Sequence, residues 1–222
     1  MTCADPPEVS EVWDRGRIES AFGVSRETSD RLAAYVAQLR EWQKRINLIG
    51  PATEDDIWGR HIADSLQLVR LAPAGATTWL DLGSGAGLPG LVLAIALADR
   101  PGLAVHLVES NARKAAFLRV AALETGAPVT VHTDRIEILG AREDRPRPDV
   151  ITARALAPLD RLLAYAEPFM WKTTVCLFPK GRDVAQELTQ AATCWRIVWD
   201  STPSVVDPAA AILRIEEAKR HD

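Results

Sequence analysis

The sequence contains little cysteine, and its few cysteines are not spaced like metal ligands. Only three are present in 222 residues, Cys3, Cys176 and Cys194, and their number is odd and their spacing irregular. The four histidines are scattered as well, so no ligand set at zinc-site spacing can be found. We therefore expect a reduced protein without a structural metal.

Long hydrophobic runs and an excess of basic charge are also missing. The longest apolar run, LVLAIALA at 91–98, is too short to cross a bilayer. The first fifteen residues lack the basic and apolar segments of a secretory signal, so we expect a cytoplasmic protein. The net charge of −4 argues against a protein that coats nucleic acid over a broad surface. A local basic groove is still compatible with it, because phosphate recognition depends on where Lys and Arg lie.

The first seventy residues are predicted to be helical. Between Ser25 and Arg45 the apolar side chains recur at helical spacing and form one stripe. A second helix is predicted to begin at Thr53, with Asp56 as its capping partner. The side chains that this helix should turn inward are those of Ile57, His61, Ile62, Ser65, Leu66 and Val69.

From residue 78 onward the pattern alternates between strands and helices. Strands are predicted at 78–82, 103–109, 128–132, 148–153 and 173–179, followed by two more at 194–200 and 210–216. The predicted helices run from Pro89 to Ala98 and over 111–126, 158–170 and 182–192. Such alternation with short connections indicates an α/β fold, a mostly parallel sheet with helices on both faces. We expect one compact unit at 75–222 with a helical cap at 1–74.

A glycine-rich segment, WLDLGSGAGLPG at 79–90, follows the first predicted strand. A nucleotide-triphosphate loop would need a lysine and Ser or Thr after its last glycine, and neither is present. Gly85, Gly87 and Gly90 match the GxGxxG pattern of dinucleotide-binding proteins, so an NAD-linked oxidoreductase remains an alternative. The register Asp81-x-Gly83-x-Gly85-x-Gly87 instead resembles the first motif of class I methyltransferases. An acid at this point suits the ammonium group of S-adenosylmethionine better than a pyrophosphate.

Two further positions fit an adenosine-containing cofactor. Glu109 ends the second predicted strand, where a carboxylate accepts hydrogen bonds from ribose hydroxyls, although it would serve NAD equally well. Ile136 and Glu137 follow the third strand, where an apolar side chain and backbone groups would face adenine. Gly85, Gly87 and Glu109 are therefore candidate cofactor-binding residues.

Six segments occur along the chain in a characteristic order. They are NLI at 47–49, RHIADSL at 60–66, DLGSGAGLPG at 81–90, RKAAFL at 113–118, RALAPLDRLL at 154–163 and PKG at 179–181. Together they resemble the bacterial 16S ribosomal RNA guanine-N7 methyltransferase family, also called glucose-inhibited division protein B, from about residue 30 to residue 216. The sequence departs from the family pattern at Gly50 after NLI and in the bulky run LFPKG.

The resemblance implies a Rossmann-like class I fold, S-adenosylmethionine as methyl donor, and a guanine in the decoding region of 16S ribosomal RNA as acceptor. Matched position by position, it implies cofactor contacts at Gly83, Leu88, Ile136, Glu137 and Arg154. Arg154 also follows the fourth strand directly, at the sheet edge where open α/β folds bind ligands.

No single catalytic side chain is expected. The lone pair of guanine N7 is free at neutral pH, so the reaction needs alignment rather than a general base. The Asn-Pro-Pro-Tyr type of motif used for amino-group targets is absent after the fourth strand, which reads TARALAP. His61, Asp64 and Ser65 do not form a hydrolase triad, because Asp64 and Ser65 diverge on the helix. His61 and Asp64 form either a structural pair that ties the cap to the sheet or part of a rim that faces RNA.

Basic side chains near the predicted site are candidates for phosphate contacts, and Lys180 is the best single choice. These residues are Arg60, Arg113, Lys114, Lys180 and Arg182, with Arg119 and Arg161 as further candidates. The expected partner is 16S ribosomal RNA or the 30S subunit, bound by a monomer. Two alternatives share the fold and cofactor: a small-molecule methyltransferase, and a non-catalytic protein that binds S-adenosylmethionine or RNA.

Overall fold

The computed structural model describes residues 12–221 of the chain. Cys3 lies outside the described residues. So do most of the first fifteen residues, where we expect no secretory signal.

A seven-stranded sheet forms the centre of the molecule. Its strands are β1 (Thr78–Leu82), β2 (Ala104–Val108), β3 (Val129–His132), β4 (Val150–Thr152), β5 (Val175–Lys180), β6 (Trp195–Pro203) and β7 (Ala211–Arg220). They lie in the order β3-β2-β1-β4-β5-β7-β6. The first five are parallel, and β7 is antiparallel to both β5 and β6. The predicted mostly parallel sheet is confirmed, and each predicted strand is present within a few residues of its expected bounds.

Helices cover both faces of the sheet. They are α1 (Arg15–Phe22), α2 (Arg26–Gln43), α3 (Asp64–Leu66), α4 (Gly90–Ala96), α5 (Ala112–Thr125), α6 (Ile136–Gly140), α7 (Leu159–Ala166) and α8 (Val184–Ala191). A π-helical turn, Trp58–Ala63, leads into α3, and a 3-10 turn, Gln67–Arg70, follows it. The sequence pattern did not predict α1 and α6 as separate helices.

Side-chain caps define the ends of the two long helices. The Ser25 hydroxyl accepts a hydrogen bond from the Thr28 N–H at 3.1 Å and begins α2. The Asn111 side chain accepts from the N–H groups of Arg113 and Lys114 and begins α5. Gly126 ends α5 in the left-handed region, at a φ of 66°, which glycine adopts without steric penalty.

The predicted helix start at Thr53 is wrong. Helical backbone begins at Trp58, and the Asp56 carboxylate accepts from the Gly59 N–H at 3.0 Å, so Asp56 itself acts as the local cap. The Thr53 hydroxyl instead donates to the Gly50 carbonyl at 2.8 Å within a separate 3-10 turn. Most of the side chains that were predicted to face inward are buried, namely those of Ile57, His61, Ile62, Ser65 and Leu66. The Val69 side chain is half-buried.

The N-terminal helices and the sheet share one hydrophobic core. Leu32 and Leu39 of α2 belong to the same buried cluster as Trp79 of β1 and Phe117 of α5. The buried Tyr35 hydroxyl donates to the Ala86 carbonyl at 2.7 Å. The helical cap therefore braces the glycine-rich loop directly.

Candidate functional site

Two adjoining cavities open at the carboxyl ends of the parallel strands. The large cavity has a volume of about 770 Å³ and the small cavity about 340 Å³. Both are lined by residues of the glycine loop, of the loop after β4, and of α5; the shared residues are Gly83, Gly85, Lys114, Ala155 and Leu156. Ala155 has a φ of 52°, a left-handed conformation that is strained for a residue other than glycine. Such strain is often found where a loop is shaped for a ligand.

The glycine loop approaches the loop after β4 so closely at Gly83 that a side chain there would collide with Leu156. Gly83 has a φ of 68°, and a Cβ there would lie 2.5 Å from Leu156 Cδ1. Leu88 lines the large cavity and is 6 % exposed. Gly87 faces the interior, where a Cβ would lie 2.6 Å from Leu91 Cβ. Close packing therefore accounts for the glycine at 87, whereas Gly83 and Gly85 lie on the cavity walls.

Asp81 is buried beneath the loop, not exposed in a cavity. Its carboxylate accepts from the Thr152 hydroxyl at 2.7 Å, and its Cβ lies against Gly90 at the start of α4. Burial raises the pKa of Asp81 to about 6, although hydrogen bonds from neighbouring groups partly oppose that shift. This position does not fit the expectation that Asp81 faces the ammonium group of a ligand; its carboxylate instead links β1 to β4.

Glu109, the acid after β2, lines the small cavity and holds the glycine loop in place. Its two carboxylate oxygens accept from the Gly85 N–H at 2.9 Å and the Asn111 N–H at 2.7 Å. The side chain is only 8 % exposed. Ile136 and Glu137, at the start of α6, line the same cavity together with Tyr165. The structure thus brings three of the predicted cofactor residues, Glu109, Ile136 and Glu137, to one wall.

Arg154 lies at the wall of the large cavity and is held by the RHIADSL segment. It donates to the Asp64 carboxylate at 3.0 Å and to the Arg60 carbonyl at 2.8 Å. Its other terminal nitrogen lies 2.8 Å from His61 Nδ1. The Arg154–Asp64 ion pair is largely screened from solvent, with side chains 18 % and 17 % exposed. His61 and Asp64 therefore bind Arg154 instead of each other, and together they tie the cap to the sheet.

His61 is neutral in this network. Burial lowers its pKa to about 3, with further lowering from the cations of Arg154 and Arg60. Because Arg154 can only donate, His61 Nδ1 must accept, and the proton lies on Nε2. Nε2 is 2.9 Å from the Thr53 hydroxyl, which donates in turn to the Gly50 carbonyl. A chain of hydrogen bonds thus connects Arg154 to the loop that carries the NLI motif.

The far side of the large cavity carries two ion pairs. Lys180, at the end of β5, lies 2.7 Å from the Glu187 carboxylate of α8, and the Lys180 side chain is 9 % exposed. Arg60 lies 3.1 Å from the Asp207 carboxylate. Glu187 and Asp207 were not among the predicted site residues, since nothing in their local sequence distinguishes them from surface acids.

A third, strongly basic cavity of about 580 Å³ lies beside the other two. It is lined by Lys44, Arg45, Arg113, Lys114, and by neighbouring polar residues Gln43, Asn47 and Asn111. Lys44 and Arg45 both pair with Glu41, whereas Arg113 and Lys114 form no ion pair with any residue of 12–221. The predicted pair Arg113 and Lys114 thus lies at the entrance of the site. Lys44 and Arg45, which sequence reasoning missed, face them from the end of α2.

The remaining predicted basic residues line none of the three cavities; they are Arg119, Arg161 and Arg182. Arg182 is exposed on the loop after β5. Arg119 donates to the Val131 carbonyl and the Thr133 hydroxyl, and Arg161 donates to the Tyr165 hydroxyl at 2.8 Å.

Within residues 12–221, no group of three or more His, Cys, Asp or Glu side chains is arranged to hold a metal ion. No helix in that part of the chain is long and apolar enough to span a membrane.

The strand order, with a glycine loop after β1 and an acid after β2, defines the fold of the class I S-adenosylmethionine-dependent methyltransferases. The chain is similar in fold to the O-methyltransferase TomG from Streptomyces achromogenes, solved in complex with S-adenosylmethionine. The TM-score is 0.58 at 16 % identity, over 91 % of this chain and 96 % of that one. The predicted fold and cofactor class are confirmed.

More specifically, the chain belongs to the rRNA small subunit methyltransferase G family, whose model matches residues 28–207. It is 54 % identical over 209 residues to a ribosomal RNA small subunit methyltransferase G of Methylorubrum extorquens, covering 94 % of this chain and 97 % of the relative. It is 57 % identical over 203 residues to the protein of the same name from Methylobacterium radiotolerans, covering 91 % and 94 %. The predicted family and enzyme class are confirmed, and the oxidoreductase alternative is not supported.

Proposed function

We propose that this protein transfers the methyl group of S-adenosylmethionine to N7 of a guanine in the decoding region of 16S ribosomal RNA. The observation that carries the proposal is the pair of adjoining cavities at the carboxyl ends of β1, β2 and β4, in a chain of a small-subunit rRNA methyltransferase family. The small cavity has the size and lining for the adenosine part of the cofactor. The large cavity has room for the methionine part and an acceptor base.

The residues of the small cavity fit adenosine. The oxygens of Glu109 each accept one backbone hydrogen bond, and a carboxylate oxygen has a second lone pair for a ribose hydroxyl. Ile136 supplies an apolar surface for the adenine ring. Gly85 leaves open space where a side chain would otherwise project, because a Cβ there would meet only the Gly83 carbonyl oxygen, at 3.8 Å. When bound, S-adenosylmethionine supplies an electrophilic methyl group on a sulfonium.

Arg154 suits the carboxylate of the methionine part. A guanidinium has five N–H donors, and three hydrogen bonds to Asp64, His61 and the Arg60 carbonyl leave others free to face the large cavity. Because Asp64 and His61 fix the plane of the guanidinium, little conformational freedom is lost when a ligand binds. The role of Arg154 is therefore binding and orientation.

The reaction needs no proton transfer. The lone pair of N7 forms the new C–N bond while the C–S bond breaks and its electron pair returns to sulfur. Positive charge passes to the guanine ring, and no proton leaves. Rate acceleration then comes from in-line alignment of N7, carbon and sulfur. This agrees with a site whose histidine is neutral and engaged in hydrogen bonds on both ring nitrogens.

The basic cavity gives RNA a path to the acceptor site. Lys114 lines all three cavities, so a backbone that contacts Lys114 and Arg113 would bring a neighbouring base to the mouth of the large cavity. A guanine that exposes N7 from a loop or an unstacked position fits such an approach. We further propose that the protein acts in the cytoplasm, where the small ribosomal subunit is found, and that it acts as a monomer, since one chain lines both cavities.

The test is transfer of radiolabelled methyl from S-adenosylmethionine to 30S subunits and to free 16S RNA, both from cells that lack this gene. We expect label on one guanine, recovered as an alkali-labile N7-methyl product. Subunits from cells that carry the gene are the matched control and should accept almost none. Absence of label, while the protein still binds S-adenosylmethionine, would reject the RNA substrate and favour a small-molecule acceptor or a binding role.

A further inference from the structure

Three carboxylates line the large cavity, and their hydrogen bonds set one of them apart. Both oxygens of Asp64 have partners, Arg154 and the Gln67 amide. Both oxygens of Asp207 also have partners, Arg60 and the Ala209 N–H. Glu187 uses only Oε2, which accepts from Lys180 Nζ at 2.7 Å and from the Leu159 N–H at 2.8 Å. Within residues 12–221, Glu187 Oε1 has no hydrogen-bond partner.

Lys180 beside it has an unused donor. Its ammonium donates to Glu187 Oε2 and to the Ala157 carbonyl at 3.2 Å. An ammonium carries three N–H donors, so one is left. The side chain is 9 % exposed, and the exposed part faces the cavity that Lys180 lines. The pair therefore presents one donor and one acceptor side by side to a ligand.

Of the two purines, guanine has the edge that this pattern complements; uracil offers the same acceptor–donor pair but has no N7 to methylate. Guanine carries an acceptor, O6, next to a donor, N1–H, on its Watson–Crick edge. Adenine carries the reverse order, a donor amino group next to the N1 acceptor. A backbone phosphate has only acceptors and would be repelled by the Glu187 carboxylate. The geometry thus favours a guanine base over a phosphate as the partner of Lys180.

We propose that Lys180 and Glu187 select the acceptor guanine, with Lys180 Nζ donating to O6 and Glu187 Oε1 accepting from N1–H. The inference rests on the proposed function and adds the residues that read the base. β5 and β1 are separated only by β4, and strands lie about 4.8 Å apart, so the ends of β5 and β1 are about 10 Å apart. Contact through O6 and N1–H leaves N7 free to face the methyl donor, because N7 lies on a different edge of the purine.

The same contact favours the reaction electrostatically. Methylation at N7 places positive charge on the guanine ring and makes N1–H a stronger donor. A carboxylate that accepts from N1–H in a partly buried site therefore binds the developing cation more tightly than the neutral base. Glu187 would act on kcat as well as on selection of the base.

The decisive variant is Glu187→Gln, which keeps an oxygen for the Leu159 N–H and places an amide where guanine needs an acceptor. We expect kcat/KM for methyl transfer to unmethylated 30S subunits to fall about 10- to 100-fold. Binding of S-adenosylmethionine, measured by calorimetry, should stay within about threefold. Lys180→Met, which keeps the shape and removes the donor, should give a loss of the same order. Glu167→Gln, a surface variant that lines no part of the large cavity, is the matched control and should be active.

The outcomes separate this inference from the proposed function. If the wild-type protein transfers no methyl group to 30S subunits, the proposed function fails. If the wild type is active and Glu187→Gln keeps full activity, the guanine-binding role is wrong. A loss of activity together with a loss of S-adenosylmethionine binding in both variants would also overturn it, because it would assign the pair a structural role.

Discussion

His61 links the helical cap to Arg154 through a neutral imidazole. Burial and the neighbouring Arg154 and Arg60 lower its pKa to about 3, whereas in the unfolded chain an ordinary value of about 6.5 applies. As pH falls below 6.5, the unfolded chain takes up a proton that the folded chain excludes. Stability is therefore lost as the pH falls from about 6.5 toward 3.

This difference predicts a pH-dependent effect of His61→Gln. Glutamine does not titrate, so the wild-type protein should lose about 2 kcal/mol more unfolding free energy than the variant between pH 7.5 and pH 5. Urea unfolding of both proteins at the two pH values measures it. Asp81, whose pKa is raised to about 6, changes stability in the opposite direction, but it is common to both proteins and cancels in the comparison. If the difference in unfolding free energy between the two proteins were the same at both pH values, His61 would bind the proton in the folded protein as well.

At the scale of elements, the start of α5 joins both ligand sites. Asn111 caps the helix through the N–H groups of Arg113 and Lys114, and its own N–H donates to Glu109. The same turn therefore orients the acid of the small cavity and two cations of the basic cavity that have no ion-pair partner within residues 12–221. The π-helical turn Trp58–Ala63 has a comparable role, because it brings Arg60 and His61 to the wall of the large cavity.

The cap of α5 can be tested by substitution. Asn111→Ala removes the acceptor and should lower the unfolding free energy by about 1 kcal/mol. Asn111→Asp keeps an acceptor oxygen and should stay within a few tenths of a kcal/mol of the wild type. Guanidinium unfolding curves compare the three proteins. Equal destabilisation by both substitutions would mean that the amide group, and not the cap, stabilises this turn.

At the scale of the whole molecule, an acidic protein presents a basic face to its substrate. The net charge is −4, yet Lys44, Arg45, Arg113 and Lys114 surround one cavity next to the site. Local charge rather than net charge then governs RNA binding.

We therefore predict that the double substitution Arg113→Ala and Lys114→Ala flattens the salt dependence of RNA binding. Loss of two phosphate contacts should reduce the slope of log K against log salt by about 1.4. Binding to 16S RNA, titrated from low to high salt, measures the slope. The matched control is Arg196→Ala with Lys219→Ala, which removes two cations from the β6–β7 edge. A reduced slope in the control as well would point to a diffuse charge effect.

Much of this protein follows from its sequence alone. Alternating apolar segments and helical stripes predict the parallel sheet and its covering helices, because burial of one face or both requires those periods. The glycine register after β1 and the acid after β2 indicate the cofactor class, and the ordered motifs indicate the family. These signals are local, since each lies within a few residues of chain. The short helices α1 and α6 and the start of the helix at Trp58 were missed, because tertiary contacts stabilise them more than their own pattern does.

Only the tertiary structure decided the partners of the charged groups. Arg154 binds Asp64 across 90 residues, and Arg60 binds Asp207 across 147. Asp81 looked like a ligand for a cation, but the packing of β1 against Thr152 and Gly90 buried it. The sequence predicts Lys180 as a phosphate contact, which stays a prediction, and its pairing with Glu187 of α8 carries our proposal that it binds a base. A hydrogen bond depends on where two chain segments meet, and that position is set by the fold of the whole chain rather than by the residues beside either partner.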